Sequence, residues 1–175
     1  MCADTYAFKP IGLIRSPYRQ RIDAPHQSTV LAETGVPAEA FLDLDPGLPE
    51  ETLQDLDGFA YLWVFFVLHR SEGWAPRVQP PRGPRLKRGV FATRSPHRPN
   101  AIGLSAVELA GIEGRTLRLR GVDLLDGTPV LDIKPYVPYA DAFPGARAGW
   151  IDEVDLASGL LSAPGLRRPR KGRQD

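Results

Sequence analysis

Apolar residues come in short runs, separated by polar stretches that proline and glycine interrupt. Residues 7–14 (AFKPIGLI) predict a first strand, with Pro10 suited to an edge or a bulge. Residues 15–37 are polar and broken by Pro17, Pro25, Gly35 and Pro37, which predicts loops. Phe41, Leu42 and Leu44 mark a short strand. Residues 50–56 follow Pro49 and carry acids in the first turn, so a short helix is expected. Residues 59–68 (FAYLWVFFVL) form the strongest core segment. This uncharged run, rich in aromatic and β-branched types, predicts a strand buried on both faces, with a buried helix as the other reading.

Residues 75–88 (APRVQPPRGPRLKR) predict an irregular exposed loop. Residues 89–93 (GVFAT) predict a strand, followed by the turn-rich RSPHRPN. Residues 101–110 suit a strand or a short helix, and Gly111 and Gly114 favour a strand ending in a tight turn. From Thr116 to Leu124 apolar and basic positions alternate until Gly121 shifts the phase, which suggests a bulge. Asp126-Gly127 is a hairpin signal, with 130–134 expected as the returning strand. Residues 135–149 predict a rigid loop. About six short strands at hairpin spacing, with almost no helix, indicate an antiparallel barrel or sandwich.

Composition narrows this further. The 175 residues include 18 prolines and 17 glycines, which excludes a helix bundle or coiled coil. At 42% hydrophobic and 9% aromatic, the chain can still fill a core, which argues against disorder. A single cysteine, Cys2, allows no internal disulfide and fits a reducing compartment. No secretory or membrane-spanning stretch is evident, so a cytoplasmic protein without membrane contact is expected.

Charge is nearly balanced, at +1, but unevenly placed. From Ile22 to His69 there are nine acidic residues and no Lys or Arg; from Gly73 to Val107 there are seven basic residues and no acid. A solvated surface would account for such runs. So would a polyanion-binding surface, for which Arg82, Arg85, Lys87 and Arg88 are the candidates, together with the tail arginines.

Common cofactor motifs are missing. There is no GxG pattern, no GxxxxGK[ST] and no GxSxG, and His26, His69 and His97 are too scattered to claim a metal site. What stands out is a set of polar loops that follow apolar segments: His69-Arg70, the stretch ATRSPHRPN, and DLLDGTP. Loops on a rigid scaffold are where binding groups sit. Each piece alone also reads as a connector or turn.

Four blocks carry a resemblance: IGLIRSPYRQRIDAPHQ, LDGFAYLWVFFVLHR, GVFATRSPHRPNAIGLSAVEL and GVDLLDGTPVLDIKPYVPYAD. Together they resemble the TsaA-like (YaeB/TrmO) family, over roughly residues 8–150 and in the family's order. With the strand pattern, the resemblance implies a single mostly-β domain at 1–164, an antiparallel β-barrel with short helices and long Pro-rich loops; the basic composition from Gly165 predicts a disordered tail at 165–175. It also implies binding of S-adenosylmethionine without a dinucleotide-type fold, a homodimer, and methylation of N6 of threonylcarbamoyladenosine beside the anticodon (tRNA position 37).

By position, the cofactor residues implied are Pro25, His26, Gln27, His69, Arg70, Arg94, Leu104, Asp123, Asp126, Gly127 and Thr128. His26 stands where the family's segment has an arginine. The resemblance assigns no catalytic base, and Asp123, Asp126 and His69 are candidates by type. Tyr136 and Tyr139 could stack on an anticodon-loop base or simply pack against the barrel end. A methyltransferase of another substrate and a non-catalytic cofactor- or RNA-binding module remain as alternatives. The ATRS and DLxDGT blocks favour retained cofactor binding, and the basic loop favours RNA over a small molecule.

Overall fold

Every barrel strand alternates between an inner and an outer face, and that alternation builds the core. The computed structural model describes residues 4–20 and 39–158, and the backbone of 161–163 and 166–167. The strands are β1 (Gly12–Arg15), β2 (Glu39–Leu44), β3 (Tyr61–Val67), β4 (Arg77–Val78), β5 (Arg88–Gly89), β6 (Ile102–Glu113), β7 (Thr116–Arg120), β8 (Pro129–Pro135), β9 (Leu161–Ala163) and β10 (Leu166–Arg167). The helices are α1 (Pro138–Asp141) and α2 (Trp150–Ala157).

Six strands close a fully antiparallel barrel in the order β1-β2-β7-β6-β3-β8. Closure comes where Gly12 and Leu13 pair with Val130 and Pro129. Ile14, Leu42, Leu62, Val64, Val107, Leu117, Leu119 and Val130 point inward and are almost fully buried. At the β1–β2 seam only glycine fits, since a Cβ on Gly12 would come within 2.5 Å of the Asp43 carbonyl oxygen. On the outer face of the β1–β2–β7 wall, Arg15 donates to both Asp43 carboxylate oxygens, at 3.0 and 3.1 Å, and lies over the Phe41 ring. Thr116 donates to the same carboxylate. The Arg15 bond holds Asp43 below the usual carboxylate range.

The described residues group into two compact units, Met1–Trp74 with Pro96–Val137, and Ala75–Ser95 with Pro138–Asp175. The first contains the barrel. In the second, β4 pairs with β5, a 3-10 turn spans Val90–Ala92, and β9 pairs with β10.

Several expectations change. The 59–68 run is a strand, but its burial alternates: Leu62, Val64 and Phe66 are inside, whereas Trp63, Phe65 and Val67 are half-buried outside. A closed barrel buries one face of each strand, so an uncharged run need not be buried on both. The 50–56 helix is two 3-10 turns, Glu50–Leu53 and Leu56–Gly58. The 89–93 strand is only the end of β5 followed by the 3-10 turn. Residues 101–110 are strand, and β6 runs on through Gly111 to the Gly114 turn. The bulge lies in β6 between Leu109 and Gly111, not at Gly121, whose φ of 70° instead ends β7. The DG turn makes no hairpin, because β7 pairs with β2 and β6 while β8 pairs with β1 and β3. The rigid loop 135–149 contains α1. Apart from β10, the basic tail lies outside the described residues.

Candidate functional site at one barrel rim

Antiparallel pairing brings the polar loops together. β1, β3 and β7 end at the rim where β2, β6 and β8 begin, as the registers Arg15↔Phe41, Glu39↔Arg120, Val67↔Ile102 and Phe66↔Val130 require. Ser16–Tyr18, His69–Ser71, Pro96–Ala101 and Gly121–Thr128 therefore share that rim. Pro25, His26 and Gln27 lie outside the described residues.

The DGT segment is latched onto the end of β1. Ile14 N–H donates to the Thr128 carbonyl at 2.9 Å, Gly127 N–H to the Ile14 carbonyl at 2.8 Å and Asp126 N–H to the Tyr18 carbonyl at 2.8 Å. One Asp126 carboxylate oxygen accepts Ser16 N–H at 3.0 Å. Gly127 adopts φ 73°, which glycine takes without strain. Thr128 is buried beneath this turn. The sequence signal that reads as a hairpin thus serves as a tether between two rim loops.

Asp123 faces inward. It accepts a hydrogen bond at 2.7 Å from Ser105 Oγ, on the inner face of β6 opposite Val64. Nearby Tyr18 has its phenol pKa raised, by burial first and then by the Asp123 charge. Leu104 falls on the opposite face of β6, 45% exposed and paired with Phe65, so it belongs to the outer wall.

His69 and Arg70 are exposed after β3, and an Arg70 Nη donates to the Arg19 carbonyl. Beside them Ser71 Oγ donates to the Pro96 carbonyl at 2.8 Å. His97 Nδ1 lies 3.1 Å from Ser71 Oγ and 3.2 Å from the Glu72 carbonyl. A carbonyl only accepts, so Nδ1 carries a hydrogen in this arrangement. Ser71 and Ser105 were not among the sequence candidates. Nothing local marks either residue; only the pairing of distant segments reveals them.

Arg94 lies exposed in the second unit, just after the turn that Thr93 Oγ1 closes on the Val90 carbonyl. In the same unit Arg82 pairs with Asp155, and Arg88 with Glu153. Arg85 and Lys87 are exposed and have no ion pair among the described residues. Tyr136 packs against Trp63 and Tyr61, with ring centroids 5.3 and 6.3 Å away, whereas Tyr139 is 92% exposed. Among the described residues no three or more His, Cys, Asp or Glu side chains gather as a metal site, and no helix is long and apolar enough to cross a membrane.

Fold and rim together define a small closed antiparallel barrel whose polar groups converge at one mouth. Comparison with known proteins makes this specific. The family model for the tRNA-methyltransferase O N-terminal domain matches residues 13–142. The tRNA (adenine(37)-N6)-methyltransferase of Escherichia coli is 39% identical over 165 residues, covering 90% of this chain and 69% of that protein. An Archaeoglobus fulgidus relative named "Probable S-adenosyl-L-methionine-binding protein" is 44% identical over 152 residues, covering 87% of this chain and 40% of that one. The crystal structure of TrmO from Pseudomonas aeruginosa superposes with a TM-score of 0.71 at 43% identity, covering 85% of this chain and 64% of that chain. The chain belongs to the tRNA-methyltransferase O (TsaA-like) family. It spans about two thirds or less of the length of these relatives.

Proposed function

We propose that this chain is an S-adenosylmethionine-dependent methyltransferase acting on N6 of threonylcarbamoyladenosine at tRNA position 37. The observation that carries the reading is the convergence of the His69-Arg70 and DLxDGT segments at one barrel mouth, in a chain of this family. The donor set there fits the cofactor. Exposed Arg70 suits a carboxylate, and Asp123 and Asp126 supply negative charge for a sulfonium and an amino group. Pro25, His26 and Gln27, Gly127 and Thr128 complete the proposed set at the rim; Leu104, on the outer wall, joins it only across the proposed dimer, and Arg94 is kept as a cofactor contact on the family resemblance alone.

The cofactor supplies an already electrophilic methyl carbon. The chain's own residues then have to hold the acceptor nitrogen in line with it and exclude water. That nitrogen belongs to a urea-like group, whose delocalised lone pair is freed when its proton is accepted by a base. Asp123 and His69 are the candidates for that base. Asp126 already accepts the Ser16 N–H, which gives it a positioning role. Arg85 and Lys87 supply phosphate contacts, and exposed Tyr139 a stacking surface.

Arg94→Ala should weaken cofactor binding by roughly ten- to hundredfold, the loss of one charge-assisted hydrogen bond, with the fold unchanged. Calorimetry measures this, and unaltered affinity contradicts the assignment. Labelled cofactor mixed with bulk tRNA tests the reading as a whole. Binding without transfer would point to another substrate; no binding would point to a non-catalytic module.

A homodimer is part of the same reading. On the outer β3–β6 wall Ile102 and Leu104 are 44% and 45% exposed beside Val67 and Phe65, an apolar face suited to a second copy. Light scattering should give twice the chain mass, and a monomer that still binds cofactor rejects the dimer.

A further inference from the structure

The second unit, taken by itself, contains a buried carboxylate with no part in the chemistry above. Asp155 on α2 is 1% exposed and accepts a hydrogen bond from an Arg82 Nη of the proline-rich loop. One residue on, Gly83 has φ 80° and runs so close to α2 that a Cβ would come within 2.6 Å of Val154 Cγ2. Further along, Arg88 lies 5.3 Å over the Trp150 ring, whose Nε1 donates to the Ala92 carbonyl at 2.8 Å. The helix therefore grips the basic segment at residues 82, 83, 88 and 92. Between these grips Pro84, Arg85, Leu86 and Lys87 are exposed.

Charge is partitioned between the units in a matching way. The barrel unit has ten basic and sixteen acidic residues, net −6; the second unit has twelve and five, net +7. A polyanion is drawn to the second unit. Yet Arg82, the first arginine of the loop tip, has its charge committed to a buried carboxylate that is costly to desolvate unless paired. An exposed tip held by a buried pair presents its cations in fixed positions.

We propose that Asp155 is a positioning residue for RNA: through Arg82 it fixes the Arg85–Lys87 tip so that these cations meet backbone phosphates. The proposal rests on the tRNA reading. It concerns a helix beyond residues 13–142, which the family model matches.

Two mechanisms predict opposite signs. Removing an acid from a cationic unit should tighten polyanion binding if only long-range charge matters. A positioning role predicts weaker binding. The full chain is titrated with tRNA by fluorescence anisotropy at several salt concentrations, as wild type, Asp155→Asn and Gly83→Ala. The second variant displaces the same loop without changing charge. Both should weaken binding about tenfold. Both should also lower the slope of log K against log salt by about 1–2 as Arg85 and Lys87 lose their phosphates. Cofactor affinity and the circular-dichroism spectrum of the folded chain should hold, while the melting temperature falls, because one variant breaks a buried pair and the other strains a left-handed backbone position against Val154. Wild-type protein that fails to bind tRNA overturns both this proposal and the tRNA reading. Wild-type binding with Asp155→Asn equal or tighter overturns this proposal alone, as does a parallel loss of cofactor affinity.

Discussion

Leu62→Ala is expected to lower folding stability by about 2–5 kcal/mol, the cost of lost burial plus a cavity. Leu62 has no exposed surface and sits on the inner face of β3, between Val107 on β6 and Pro135 on β8. A closed barrel this small cannot collapse around a lost isobutyl group without moving strands that are paired on both sides. Leu13, by contrast, is 52% exposed on the outer face of β1, and Leu13→Ala should change stability by no more than about 0.5 kcal/mol. Urea unfolding with an unchanged denaturant slope gives both numbers. Equal losses at the two positions would contradict the inside–outside alternation on which the fold rests.

The second large effect is at Asp123, where structure and binding can be separated. Asp123→Asn keeps an oxygen for Ser105 Oγ but removes the charge, so the fold should hold while cofactor affinity drops about tenfold. Asp123→Ala also strips that acceptor from the buried Ser105 hydroxyl, adding a stability loss of about 1–3 kcal/mol. If Asp123 also accepts the N6 proton, the Asn variant should lose turnover beyond its loss of affinity. Single-turnover rates at saturating cofactor measure that excess. An Asn variant with wild-type affinity and rate would remove Asp123 from the site.

Strands such as β7 were legible because their inward positions are apolar and their neighbours are not. Residues 116–120 alternate in sequence as they do in burial. Their partners were not legible. Asp126-Gly127 has the local chemistry of a hairpin, but register is decided by which apolar faces close the barrel, and that sends β7 and β8 to different neighbours. The same non-local pairing hid the site's supporting groups. Ser105 and Asp123 are 18 residues apart, and Ser71 and His97 are 26 apart. α2 was not foreseen, and the pairing of its buried Asp155 with an arginine 73 residues earlier has no local sequence mark. The polar blocks His69-Arg70 and DLxDGT were visible from the start because such groups have no reason to follow apolar strands unless a loop uses them.

The most direct test compares two tRNA preparations that differ only in the threonylcarbamoyl group on the adenosine beside the anticodon. The chain is incubated with S-adenosylmethionine carrying a labelled methyl group, and label in the tRNA nucleosides is counted. The account predicts label on the modified adenosine alone. Equal labelling of both tRNAs, or cofactor bound with neither tRNA labelled, would contradict it.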